Sequence, residues 1–199
     1  FTSDFIWVKE GMSRINVKLK SDEESEINGM GPKITQEDVE LLLQKLDSLR
    51  EGDVLVLSGS VPSGVDKGIY ERIMARLSGR GIQIAVDAEK DLLLRVLPYH
   101  PFLIKPNHIE LGEMFGQVLK NQEEILCCGR RLQQMGARNV LVSMAGDGAL
   151  LLTQEGRIYV QQAAEGCVRN SVGAGDSMVA GFLAGYLENG NYEHGLKLG

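Results

Sequence analysis

Cysteine is scarce in this 199-residue sequence, with Cys127, Cys128 and Cys167 the only three. An odd number, two of them adjacent, excludes the disulfide framework of a small secreted domain and points to a reduced, cytoplasmic setting. The cysteines and the three histidines, His100, His108 and His194, do not fall into paired ligand spacing, so no zinc-type metal centre is expected. Basic charge is also in deficit: 21 Lys and Arg face 27 Asp and Glu, for a formal net charge of −6. That balance argues against gripping nucleic acid, which calls for a basic patch or stripe. No apolar run approaches a membrane span, and the opening "FTSDFIWVKEGMS" has neither the basic flank nor the apolar core of a signal peptide. No membrane partner is expected.

What is present suits a packed soluble fold. Hydrophobic residues make up 43% of the chain and charged residues 24%, enough for one domain, or one large domain with an appendage. The chain opens without Met, and "NYEHGLKLG" reads as a helix that stops after two turns, so the sequence is expected to be an internal piece of a longer chain, truncated at both ends.

Alternation in "FIWVK", a turn at "EGMS" and alternation in "INVKLK" predict a hairpin or two strands of a small sheet over residues 1–20. Asn16, Lys18 and Lys20 would face one way and Ile15, Val17 and Leu19 the other, so the apolar side must cover something. The acidic "SDEESEINGMGP" is expected to mark a boundary, with residues 21–199 forming an α/β core. There "TQEDVELLLQKLDSL" opens with a capping box, Thr35 with Asp38. Strands "DVLVLSG", "IQIAVDA", "FLIKP" and "NVLVSM" then alternate with helices near 66–78, 89–97, from about 107, and 122–136. Alternation of this kind predicts a parallel sheet with helices on both faces and ligands at the carboxyl ends of its strands. The loops to inspect are 58–64, 87–90, 105–110, 143–149 and 170–176.

The last of these loops carries the chemistry. In "SVGAGDSMVAGFLAG" the apolar run from Met178 to Leu187 continues as a helix, which puts Gly173, Ala174 and Gly175 at its first turn. Backbone N–H groups there lack helical partners, and without bulk in the way an anion meets them together with the positive end of the helix dipole. A carboxylate beside such an anion hole points to phosphoryl transfer, with Asp176 taking a proton from a hydroxyl. The plainer alternative is that Asp176 favours the helix dipole and the glycines permit close packing. A Walker loop is excluded, because Asp176 and Ser177 stand where Lys and Ser or Thr are required.

"NSVGAGDSMVAGFL" resembles the second signature of the ribokinase-like sugar kinases, the PfkB family, with Asn170 in place of the usual leading Asp. "GMSRINVKL", "LSGSVPSGV", "KPNHIELGE" and "VLVSMAGDGALL" follow the family's order over nearly the whole chain. The resemblance implies an α/β fold, a ribokinase-like parallel sheet flanked by helices, with a small β-sheet lid to which residues 1–20 contribute. It also implies transfer of the ATP γ-phosphate to a sugar phosphate, with fructose 1-phosphate the first expected substrate and tagatose 6-phosphate the alternative. A non-catalytic sensor of the same ligands is the rival of another class.

By the same resemblance Asp176 is the base and Gly173, Ala174 and Gly175 the anion hole. Arg14, with Asn16 and Lys18 behind it, would hold the sugar's own phosphate, although Arg14 also reads as a solvated residue beside a turn. Ser143, Ala145, Gly146, Gly148, Lys105, Asn107 and Ser171 would line the ATP site. The bland reading of "SMAGDGA" is a tight turn with Asp147–Gly148 as a type I′ pair, and that of "SGSVPSG" is a glycine-proline loop. Asn107 and Glu110 would face Mg²⁺ through water, yet their spacing is also that of a capping box. The lid implies a homodimer contact, and Trp7 is expected to pack in the small sheet or in that contact.

Overall fold

A computed structural model of the protein describes residues 2–20, 24–166 and 171–199. Alternating side chains give strand β1 (Asn16–Lys20), which pairs antiparallel with β2 (Glu24–Asn28), Val17 opposite Ile27. The hairpin therefore uses the acidic stretch expected to be a boundary, and "FIWVK" forms no strand. The leading segment lies along the first helix instead, where Ile6 and Val8 share an apolar hollow with Val39 and Leu42, and exposed ion pairs join Asp4 to Lys45 and Lys9 to Glu37, the latter at 3.2 Å. Trp7 is left 85% exposed and does not pack in the small sheet. The Lys20 side chain, Cys167 and Asn170 lie outside the described residues.

The core opens with α1 (Gln36–Leu46), capped as the sequence requires: the Asp38 N–H donates to Thr35 Oγ1 at 3.2 Å and the Thr35 N–H to Asp38 Oδ2 at 2.8 Å. Then follow β3 (Val54–Ser58), α2 (Ile69–Leu77), β4 (Gln83–Asp87), α3 (Lys90–Val96), β5 (Leu103–Ile104), α4 (His108–Met114), α5 (Gln122–Gln134), β6 (Asn139–Ser143), β7 (Ala149–Leu152), β8 (Ile158–Gln161), α6 (Ala174–Asn189) and α7 (Tyr192–Leu198). The six-stranded sheet runs in simple order from β3 to β8. From β3 to β6 neighbours are parallel, as expected, and β7 and β8 add antiparallel pairings that make the sheet mixed. Only residues 144–148 separate β6 from β7, too few for the crossover that a parallel neighbour demands.

Strand alternation sends side chains to two cores. Val140, Val142, Leu150 and Leu152 join Leu43, Leu93, Leu111 and Leu132 beneath α1–α5, while Leu141 and Leu151 meet Val179, Phe182 and Leu196 of α6 and α7. Helices thus cover both faces, and the α6 face brings the glycine-rich motif to the carboxyl ends of the strands. α7 packs on α6 through missing side chains: a Cβ at Gly181 would stand 2.2 Å from the Leu198 carbonyl oxygen.

Gly181→Ala is accordingly expected to destabilise the fold by about 1–3 kcal/mol, since a backbone carbonyl has no rotamer by which to retreat. Urea denaturation of the two proteins checks this.

Candidate active site

The parallel strands end in a row of polar residues. Ser58 closes β3 directly beside Asp87, which closes β4. Lys105 follows β5, its N–H bonded to Val86 O at 3.2 Å, and Asn107 bridges to Ser143 at the end of β6. Lys105 retains only 7% of its surface. A buried ammonium is costly unless paired, and Asp87 Oδ1 lies 3.2 Å from its Nζ. Burial pushes the Asp87 carboxyl above the usual carboxylate range; Lys105 opposes that shift, and the charges of Asp176 and Glu110 add to it. Asp87 therefore carries the ion pair to Lys105, while two further carboxylates act on it through their charge.

The first turn of α6 sits over this pair. Gly173 takes φ +79°, the left-handed conformation that glycine adopts without strain, and leads into Ala174. The Ala174 N–H donates to Ser171 O at 3.2 Å, so one of the three expected anion-hole donors is engaged. Among the described residues no hydrogen bond takes the N–H of Gly173 or Gly175. A Cβ on Gly175 would lie 3.2 Å from Lys105 Nζ, which places the ammonium directly behind the helix start. Asp176 is exposed rather than turned inward, and Ser58 Oγ donates to its Oδ1 at 3.4 Å.

Asn107 and Glu110 form the capping box. The Glu110 N–H donates to Asn107 Oδ1 at 2.8 Å and the Asn107 N–H to Glu110 Oε2 at 2.9 Å, leaving the Glu110 carboxylate with further acceptor capacity. After Ser143 the chain makes a 3-10 turn over Ala145–Asp147. The expected type I′ pair is absent: positive φ falls at Ala145 (50°) and Gly148 (88°), whereas Asp147 stays within the turn. Gly146 has open space where a side chain would be. Gly148 does not, since a Cβ there would meet Gln161 O at 2.0 Å. Packing alone therefore requires Gly148, while Gly146 leaves the loop surface clear.

Arg14 reaches across from the small sheet. Its Nε donates to Asn16 Oδ1 at 2.9 Å and its Nη1 to Ser60 Oγ at 3.1 Å, two residues beyond Ser58. The structure thus gathers Asp176, Gly175, Lys105, Asn107 and Ser143 at adjacent strand ends and links Arg14 with Asn16 to the same rim. Sequence reasoning pointed to the loops at 58–64 and 87–90 but assigned no role to Ser58, Ser60 or Asp87. The available signal was position: Ser58 and Asp87 are the last residues of the apolar runs "DVLVLS" and "QIAVD".

The profile of the pfkB family carbohydrate kinases matches residues 3–199. The chain is 47% identical to the 1-phosphofructokinase of Bacillus subtilis over 190 residues, 96% of this chain and 62% of that protein. It is 38% identical to the D-tagatose-1-phosphate kinase of Bacillus licheniformis over 182 residues, 91% of this chain and 59% of that protein. Phosphofructokinase-2 of Escherichia coli, solved in complex with fructose-6-phosphate, superposes with a TM-score of 0.79 at 25% identity, covering 92% of this chain and 61% of that one. The chain spans about six-tenths of the length of the curated relatives it matches. A helix start poised over a row of strand-end polar groups, in a ribokinase-like fold and with a profile match over almost all its residues, places this chain in the pfkB family of carbohydrate kinases.

Proposed function

We propose that the intact protein is a 1-phosphofructokinase, transferring the γ-phosphate of ATP to the C6 hydroxyl of fructose 1-phosphate to give fructose 1,6-bisphosphate. The observation that carries this reading is the exposed Asp176 carboxylate beside the open N–H groups of Gly173 and Gly175, with Lys105 behind them. Asp176 accepts the hydroxyl proton as the oxygen attacks the γ-phosphorus and the bond to the departing ADP oxygen breaks. Amide donors and the helix dipole stabilise the charge spread over the migrating phosphoryl oxygens, and Lys105 adds a full positive charge. Arg14, seconded by Asn16 and Lys18, grips the phosphate already on the sugar, a task that suits the planar guanidinium. Ser143, Ala145, Gly146 and Gly148, with Ser171 and Asn107, border the nucleotide.

The donor set at this site fits Mg²⁺. Its side chains offer oxygen, and the Glu110 carboxylate keeps acceptor capacity beyond its capping bond, which suits a cation that keeps several waters and shares phosphate oxygens. Asn107 and Glu110 would hold it through water, and when bound it neutralises charge on the nucleotide.

Relatives favour two acceptors, fructose 1-phosphate and D-tagatose 1-phosphate, which carry their phosphate on the same carbon; tagatose 1-phosphate is therefore the second reading. The exposed apolar face of the ribbon, with Val17, Leu19 and Ile27, supports a homodimer contact through the lid. Among the described residues no helix is long and apolar enough to cross a membrane; a cytoplasmic location remains part of this proposal.

In the intact protein Asp176→Asn is expected to lower kcat by roughly 10²–10⁴-fold while ATP binding by calorimetry is retained; near-normal turnover removes Asp176 from the role of base. Arg14→Ala is expected to raise KM for the sugar phosphate by about 10-fold or more and leave KM for ATP unchanged, as follows from losing hydrogen bonds between charged groups. A kcat/KM panel of fructose 1-phosphate, tagatose 1-phosphate, tagatose 6-phosphate and fructose 6-phosphate is expected to rank fructose 1-phosphate first. A clear win for another sugar replaces the named substrate.

A further inference from the structure

Tyr70, in the first turn of α2, sends its hydroxyl to the end of β3, where Oη lies 2.9 Å from Ser58 O and 3.1 Å from Gly59 O. The position follows from sheet geometry. Gly59 turns its N–H toward β4, donating to Asp87 O at 3.0 Å. Successive residues of a strand direct their backbone groups to opposite sides, so the Ser58 carbonyl faces away from β4 and needs a donor from elsewhere. Tyr70 supplies that donor. Burial, with the Asp87 charge adding to it, pushes the phenol above its ordinary range, so the hydroxyl keeps its proton through neutral pH.

The short turn held this way touches both halves of the proposed chemistry. Ser58 Oγ meets Asp176 Oδ1 at 3.4 Å, and Ser60 Oγ receives Arg14 Nη1 at 3.1 Å. Gly59 lies between them at φ +91°, and nothing stands within 4 Å of the point a Cβ would occupy, so neither side-chain packing nor backbone stiffness fixes the turn there. We infer that Tyr70 is a positioning residue: its hydroxyl clamps the 58–60 turn and thereby sets the base and the phosphate-gripping arginine at the spacing that one sugar phosphate spans. The inference rests on the kinase reading. No other aromatic or hydroxyl side chain donates to these two carbonyls among the described residues.

Tyr70→Phe in the intact protein tests it, because the ring keeps its place beside Val61, Val65 and Ile73 while the single O–H is lost. Hydrogen exchange of the peptide covering residues 58–64 is expected to quicken by about 5-fold or more, with residues 83–87 unchanged. Steady-state kinetics are expected to show KM for the sugar phosphate raised about 5-fold or more and KM for ATP within about 2-fold. A purely structural tyrosine would lower the melting temperature and leave that split unseen. Unchanged exchange at 58–64, or equal shifts in both KM values, would overturn the inference. If the wild-type protein phosphorylates no sugar phosphate, the kinase reading fails by itself, and the exchange comparison still decides whether Tyr70 holds the turn.

Discussion

The structure turns on a buried ammonium. Lys105 ends a central strand with almost no contact with water, and a charge in that position is tolerated only if an opposite charge meets it. Asp87 is fixed there by its register beside Ser58 at the end of the neighbouring strand. The pair also shapes what lies above it: a Cβ at position 175 would stand 3.2 Å from the lysine head group, so glycine there lets the first turn of α6 sit over the pair without adjustment. From these few contacts comes an ion pair set beneath a helix start. Removing one partner alone would leave the other as an uncompensated buried charge.

Much of this was legible in the sequence because its causes are local. The capping boxes at Thr35 and Asn107 were readable from spacing three apart, and the apolar runs located β3, β4 and β6 to within a residue or two. The glycine-rich entry to α6 was legible as a helix start with bare backbone ahead of it. The misses have non-local causes. The strand partner of β1 is an acidic stretch whose composition resembles a linker, while Ile6 and Val8 of the competing segment line an apolar hollow with Val39 and Leu42 of α1, a contact remote in sequence. The reversal of β7 follows from the brevity of the 144–148 connection, which was visible, yet helix–strand alternation elsewhere outweighed it.

Within the site, the distinction is between residues that carry a motif and residues that merely end a strand. Asp176 and Arg14 stand in recognisable surroundings. Asp87, Ser58 and Ser60 stand in none, and only the register of adjacent strands shows that they converge. Ala174 illustrates the opposite error: motif reasoning counted its amide as open, whereas the tight lead-in turn closes it against Ser171. Arg14, just ahead of the small ribbon, links it to this centre through a hydrogen bond to Ser60, a polar and exchangeable contact.

The hairpin-like return from β6 to β7 also governs how sequences of this kind can vary in length. Gly148 is wedged against the backbone at the end of β8, and the chain has five residues, 144–148, in which to reverse. One inserted residue taken up by the strand would slip the pairing by a single position and send Leu150, Leu151 and Leu152 each toward the opposite core. Insertions and deletions should therefore be purged between Ser143 and Gln161 and gather at junctions such as that between α4 and α5, where no ladder keeps count.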